Sequence, residues 1–344
     1  MKSFWTLLAA TWVVVGAVFA GSTNLAVAQD AFKWRMQSNL STGEPGYESV
    51  RTMFVEALRE MSGGRMNISF HPVGALFPIA DGLEAVGAGV VEIGMMTGGY
   101  FSGKMGPIAT LESSVPGAER DPIERYNFFY KKGFIDIARE AYAPYKVYYL
   151  APHISPPWDI ISRKPLRSKA DFKGLKIRTF GIEAEWYEAM GASAVFLGGG
   201  EVYTALATGV VDAVRWGSPS VQMKLGLHEV GRYYLRNSPL PAPNNHIVVN
   251  QQAWNSLPDD IKAMMDKAAR LASLDYIARG NMDDTRAIAE MQEKHGIEFV
   301  EIPAKEWLEM EQIARDIWAK YAEHDKLSAR AVKLLQEYLT ELGR

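Results

Sequence analysis

The sequence predicts an α/β protein of two similarly built lobes, with mixed sheets flanked by helices and one long helix shared between them. Three observations predict it. Strand-like and helix-like segments alternate through the first half of the chain, an eight-residue unit occurs twice, and apolar helical periodicity runs unbroken late in the sequence.

The alternation begins at Lys33 to Asn39, which reads as a strand. Tyr47 to Met61 then sets Val50, Met53, Phe54, Ala57, Leu58 and Met61 on one helical face. Asn67 to His71 (strand), Leu83 to Gly87 (helix), Val90 to Met96 (strand), Pro122 to Lys132 (helix) and Lys146 to Leu150 (strand) continue it. The repeated unit is Ala85-Val86-Gly87-Ala88-Gly89-Val90-Val91-Glu92, echoed by Ala205-Leu206-Ala207-Thr208-Gly209-Val210-Val211-Asp212. Each copy closes a helix with glycine and opens a β-branched strand, so each lobe is expected to carry one. Two distant copies do not make a solenoid.

Pro258 sits where a first-turn proline belongs, and Ile261, Met264, Met265, Ala268, Leu271 and Ala272 start a helical face that reaches His295-Gly296. Unbroken, that helix has about 38 residues and measures roughly 57 Å, long enough to run along both lobes. Gly280 is where it is expected to bend. A strand near Glu298 to Ile302 and amphipathic helices at Lys305 to Glu323 and Ala329 to Leu342 complete the chain as packing elements.

At 344 residues, 48% hydrophobic and 22% charged, the chain has material for about two domains. A formal net charge of -3 gives no basic footprint for nucleic acid. The absence of cysteine excludes disulfides and thiol chemistry. Residues 1–28 carry Lys2, an apolar run from Phe4 to Phe19 and Ala26-Val27-Ala28, the order of a secretory signal peptide with cleavage after Ala28. The A-x-A site favours export over a membrane anchor, and the mature protein is expected in the periplasm.

Catalytic signatures are missing. The sequence has no phosphate-binding glycine loop, no H-E-x-x-H and no G-x-S-x-G elbow, and Gly198-Gly199-Gly200 reads as a turn before a helix. The segment from Phe172 to Trp216 offers an arginine in a strand among aromatics and glycines, which suits holding an anion better than breaking a bond.

Asp171-Phe172-Lys173-Gly174-Leu175-Lys176-Ile177-Arg178, then Gly191-Ala192, Gly199-Gly200-Glu201-Val202-Tyr203-Thr204-Ala205-Leu206 and Gly209-Val210-Val211-Asp212-Ala213, resemble the signature of DctP-type solute-binding proteins of tripartite ATP-independent periplasmic (TRAP) transporters. The likeness continues through Lys224 to Val230 and Asn250 to Pro258. The resemblance implies a two-lobed periplasmic binding protein fold with hinge strands, a small organic acid in the cleft, and TRAP membrane subunits as partners. Some members of the family dimerise, so a homodimer is open. It implies lobes of 29–152 with 245–283, and 153–244 with 284–344 including the C-terminal helices.

By the same resemblance Arg178 is the carboxylate clamp, since a planar guanidinium grips a carboxylate with two prongs. Without it, an arginine in a strand reads as a surface group or a structural ion pair. Trp216 matches a cleft-lining position, with core packing as its alternative. Phe180, Trp158, His153, Ser155, Ser218 and, by pseudo-symmetry, Tyr100 are further cleft candidates. Members that bind 2-oxo acids through a metal carry Glu-Trp where this chain has Arg215-Trp216. A guanidinium repels a cation, so no bound metal and no cofactor are expected. Arg215 is expected either to meet a second ligand group or to pair outward with an acid. The rival readings are a secreted hydrolase or isomerase using Glu183, Glu185 or Glu201, and a ligand-binding module of a sensor. Glu183 and Glu185 are two apart, so they do not share a helical face.

Overall fold

The computed structural model describes residues 31–236 and 244–344. The signal-peptide assignment and cleavage after Ala28 lie outside them. Among the described residues, eleven strands form two mixed sheets: β1 (Phe32–Gln37), β2 (Met66–His71), β3 (Ile93–Met96), β4 (Val147–His153), β5 (Ile160–Ser162), β6 (Lys176–Arg178), β7 (Ser193–Val195), β8 (Ala213–Arg215), β9 (Tyr233–Leu235), β10 (Asn245–Asn250) and β11 (Glu298–Val300). The first sheet has the order β2-β1-β3-β10-β4, the second β11-β9-β5-β8-β6-β7. In the first sheet β1, β2 and β3 are parallel and β10 runs against β3 and β4. In the second, β6, β7 and β8 are parallel and β5 runs against β8 and β9. Parallel strands with helical crossovers account for the alternation in the sequence.

The early helix is continuous but changes pitch, from α over Pro45–Val50 to π over Arg51–Glu56 and back to α over Ala57–Met61. A wider turn brings residues four apart into line, so Val50, Phe54 and Leu58 are wholly buried. Met61, expected on the same face, is 46% exposed because the pitch change rotates it outward.

Both copies of the repeated unit fold alike. Gly89 and Gly209 have φ of 75° and 78°, the left-handed conformation that closes a helix. In each, the first valine (Val90, Val210) is exposed and the second (Val91, Val211) is buried. The strands therefore open later than the valines suggest, at Ile93 and Ala213, because the turn itself uses the first valine.

The long helix is Asp259–Lys294, 36 residues or about 54 Å. Ile261, Met265, Ala268, Ala269 and Ala272 pack in the core of the first sheet, and Met291 in a core of the second. It runs on through Gly280, where no break occurs. A Cβ there would overlap Pro156 Cγ, so the residue serves a close approach of the β4–β5 connection to the helix. Gly280→Ala should lower thermal stability by about 1–3 kcal/mol despite alanine's higher helix propensity, and unchanged melting would refute the contact.

Helices Ala304–His324 and Lys326–Glu341 close the chain, with Asp325 accepting hydrogen bonds from the backbone N–H groups of Leu327 and Ser328 (both 2.8 Å). The first sits on the second-sheet side, where Trp186 Nε1 donates to Met310 O at 2.7 Å. The second, expected with the same lobe, instead lies on Pro107–Ser113 and Phe134–Tyr142, with Tyr338 stacked on Phe128 at 5.7 Å. The terminal pair therefore contacts elements of both halves.

Candidate ligand-binding cleft

Strand direction places the expected residues at the carboxyl edges of the two sheets, where ligands bind in open α/β sheets. Arg178 ends β6, Arg215 ends the neighbouring β8, and His153 ends β4. The loops that follow carry Phe180, Trp216 and Trp158.

Arg178 is 1% exposed. Its Nε and Nη2 donate to Leu197 O (3.1 and 2.8 Å), and Nη1 donates to Arg215 O at 3.3 Å. A guanidinium has five N–H donors, so two remain, one on each Nη. They form the fork that a carboxylate fits. The plane lies over Trp216 at 4.2 Å and near Phe180 at 5.4 Å. No ion pair among the described residues includes it. Burial draws its pKa down to about 10, with Tyr100 and Glu183 raising it and Arg215 lowering it further. A buried cation surrounded by carbonyls and rings is a site for an anion.

Arg215 is equally buried, but its Nη1 lies 2.9 Å from Glu183 Oε2. It points inward, and the acid it meets belongs to the protein. Glu183 also accepts from Ser114 Oγ (2.7 Å) and Thr179 Oγ1 (3.3 Å), so the carboxylate weighed for catalysis is fully engaged. Ser218 Oγ donates to Asp284 of the long helix at 2.7 Å, and Ser220 N donates to the same oxygen at 2.9 Å. Burial raises the Asp284 pKa against these hydrogen bonds. Ser218 is thus held to the helix behind the tryptophan loop.

Two groups of aromatics flank Arg178, one through Trp216 and one through Phe180. Trp158 and Trp216 lie 5.5 Å apart, and the indole of Trp216 rests where a side chain at Gly199 would be. The glycine run therefore also makes room for the ring. Tyr100, from the turn after β3, contacts Phe180 at 5.6 Å and Phe196 at 6.5 Å. These three rings border a groove of about 400 Å³. At the end of β4, buried His153 stacks on Tyr276 at 5.0 Å, and neither ring nitrogen has a hydrogen-bond partner among the described residues. Burial lowers its pKa to about 3, so the ring is neutral at physiological pH. Ser155 is buried on the same connection.

Residues missed in the sequence include Asn39, Thr97 and Asn245, at the same edge of the first sheet. Asn39 Nδ2 donates to Thr97 Oγ1 (2.8 Å) and Asn245 Oδ1 (2.7 Å). Asp159 was also missed. It accepts from Tyr234 O–H at 2.8 Å, and burial raises it to about 6, with Tyr234 and Arg215 opposing. Because the folded pKa exceeds the unfolded 3.8, the favourable proton contribution is complete below 3.8 and is lost as pH rises through about 6. Asp159→Asn should raise the melting temperature by about 2–4 °C near pH 7.5, shrinking as the pH falls toward about 4. A gain independent of pH would contradict it. Among the described residues, no group of three or more His, Asp or Glu side chains converges to hold a metal.

The profile of the DctP family, described as bacterial extracellular solute-binding protein, family 7, matches residues 36–325. A monocarboxylate 2-oxoacid-binding periplasmic protein of Nostoc sp. is 29% identical over 267 residues, covering 77% of this chain and 72% of that protein. The C4-dicarboxylate-binding periplasmic protein DctP of Rhodobacter capsulatus is 31% identical over 177 residues, 48% of each chain. An apo, open TRAP periplasmic solute-binding protein of Rhodobacter sphaeroides superposes with a TM-score of 0.77 at 25% identity, covering 91% of this chain and 99% of that one.

Proposed function

Because this chain belongs to the bacterial extracellular solute-binding protein family 7, a family of binding receptors and not enzymes, we propose that it captures a small organic acid between its lobes and delivers it to a TRAP membrane permease. One observation carries the reading: Arg178 is a buried guanidinium with no carboxylate partner and two donors left over. A ligand carboxylate supplies the missing charge in a bidentate geometry, while Trp216, Phe180, Trp158 and Tyr100 enclose its body. His153 offers a neutral hydrogen-bonding ring from the end of β4. Arg215 and Ser218 support the site from behind, through Glu183 and Asp284.

Export with cleavage after Ala28 belongs to this reading, as do lobes of 29–152 with 245–283 and 153–244 with 284–344, the terminal helix pair bridging them. Self-association is checked by light scattering. Closure moves one lobe against the other, and a contact such as Tyr100 with Phe180, which joins the turn after β3 to the loop after β6, would favour the shut form. A thermal-shift screen of organic acids, neutral sugars and amines should show stabilisation by acids alone. Small-angle scattering should then show compaction with the best acid. Stabilisation by neutral compounds and not by acids would overturn the proposal.

A further inference from the structure

We infer that Glu183 is a specificity-determining residue that restricts the cleft to acids bearing a single carboxylate. The inference rests on the organic-acid reading above and asks how many anionic groups the cleft can neutralise.

Two buried guanidinium groups stand side by side at the edge of the second sheet, and they differ in one respect. Arg178 has two N–H donors free of protein partners, whereas Arg215 is 2.9 Å from a carboxylate whose side chain is 4% exposed. Both oxygens of that carboxylate are occupied, one by Ser114 Oγ and the other by Arg215 and Thr179 Oγ1. Glu183 already neutralises Arg215, so a second ligand carboxylate brought to it would place two buried anions around one cation. Like charges in a buried site disfavour each other, so that arrangement is unfavourable. Arg236, which follows β9, is exposed and turned over Phe299 at 5.7 Å. The rest of the lining is aromatic, and His153 is an uncharged hydrogen-bonding group. The Glu183 carboxylate offsets the charge of Arg215, which leaves Arg178 as the one of these two cations without a carboxylate partner.

The names of similar proteins do not decide the matter, because one is named for monocarboxylate 2-oxoacids and another for C4-dicarboxylates. The position of Glu183 does. An acid at the second residue of helix Ile182–Ala189 converts a two-arginine site into a one-arginine site.

The test uses the mature protein and matched probe pairs: butyrate with succinate, pentanoate with glutarate, 2-oxopentanoate with 2-oxoglutarate, and phenylacetate with 1,4-phenylenediacetate. Calorimetry should show the monoacid of the best-binding pair at least about tenfold tighter than its diacid. Glu183→Gln removes the negative charge beside Arg215 and should narrow that ratio by at least about tenfold, chiefly by tightening the diacid. Should that variant fail to fold, the combined Glu183→Leu and Arg215→Met protein, in which apolar groups replace the pair, should keep monoacid affinity within about threefold. The inference is overturned if the parent prefers the diacid, if no monoacid binds, or if the double variant loses more than about tenfold in monoacid affinity. Arg178→Ala separates the two readings. Unchanged affinity there removes the clamp, whereas lost affinity with a diacid preference in the parent removes only the charge limit.

Discussion

Arg178→Ala should weaken the bound acid by roughly 30-fold to several thousand-fold, the range for truncating one partner of a buried charge-assisted pair. The loss should appear mainly as faster dissociation, since the group acts after encounter. Arg178→Lys should recover only part of it, because an ammonium supplies charge without the planar fork. The ligand-free stability should behave differently. Burial already works against this cation, drawing its pKa down to about 10. Arg178→Met removes an uncompensated charge, while giving up donors to Leu197 O and Arg215 O. The two effects oppose, and the melting temperature of the ligand-free variant should stay within about 3 °C of the parent. A large drop in stability together with unchanged affinity would mark Arg178 as structural.

The largest stability effect is expected at Arg125, away from the ligand. It is 1% exposed and its Nη1 lies 3.0 Å from Glu119, itself wholly buried. Nε donates to Asn244 Oδ1 at 2.5 Å, and Nη2 donates to Glu112 O and Ser113 O at 2.5 and 2.8 Å. Asn244 Nδ2 donates in turn to Glu112 Oε1, which also accepts from Tyr149 O–H. Four of its five N–H donors meet protein acceptors and one of those is a carboxylate, whereas Arg178 meets only backbone carbonyls. Arg125→Met strands the Glu119 carboxylate and should cost about 3–5 kcal/mol, a fall in melting temperature on the order of 10 °C. The combined Arg125→Met and Glu119→Leu protein should recover much of it. A single variant as stable as the parent would show that the network contributes nothing. Because Asn244 sits just before β10, which pairs with β3 and β4, damage here should also disturb the hinge side of the cleft.

Periodicity made the frame legible. The alternation, the repeated unit and the helix from Pro258 are local patterns, and a helix or strand exposes its period wherever one face is buried. The departures arise where geometry depended on something else. Met61 turned outward on a change of helical pitch, and Gly280 answers to Pro156 and not to a kink. The site divided in the same way. Arg178, Trp216, Phe180 and Trp158, each named from the sequence, lie near one another, whereas Leu197 contributes only a backbone carbonyl, which leaves no trace in residue type. Asn39 follows β1, Thr97 follows β3 and Asn245 opens β10, and they meet only once the first sheet is assembled.

By itself the sequence determined an α/β chain of two units joined by one long helix, and it singled out an arginine suited to an anion. Only the tertiary structure decided which of two buried arginines stays open. Arg178 and Arg215 lie at the ends of adjacent parallel strands, and residue type treats them alike. What separates them is the helix after β6, which carries Glu183 to within 2.9 Å of one guanidinium and not of the other. Ion pairing in a buried site depends on distance through space and on the loss of water, and neither is written in the order of residues along the chain.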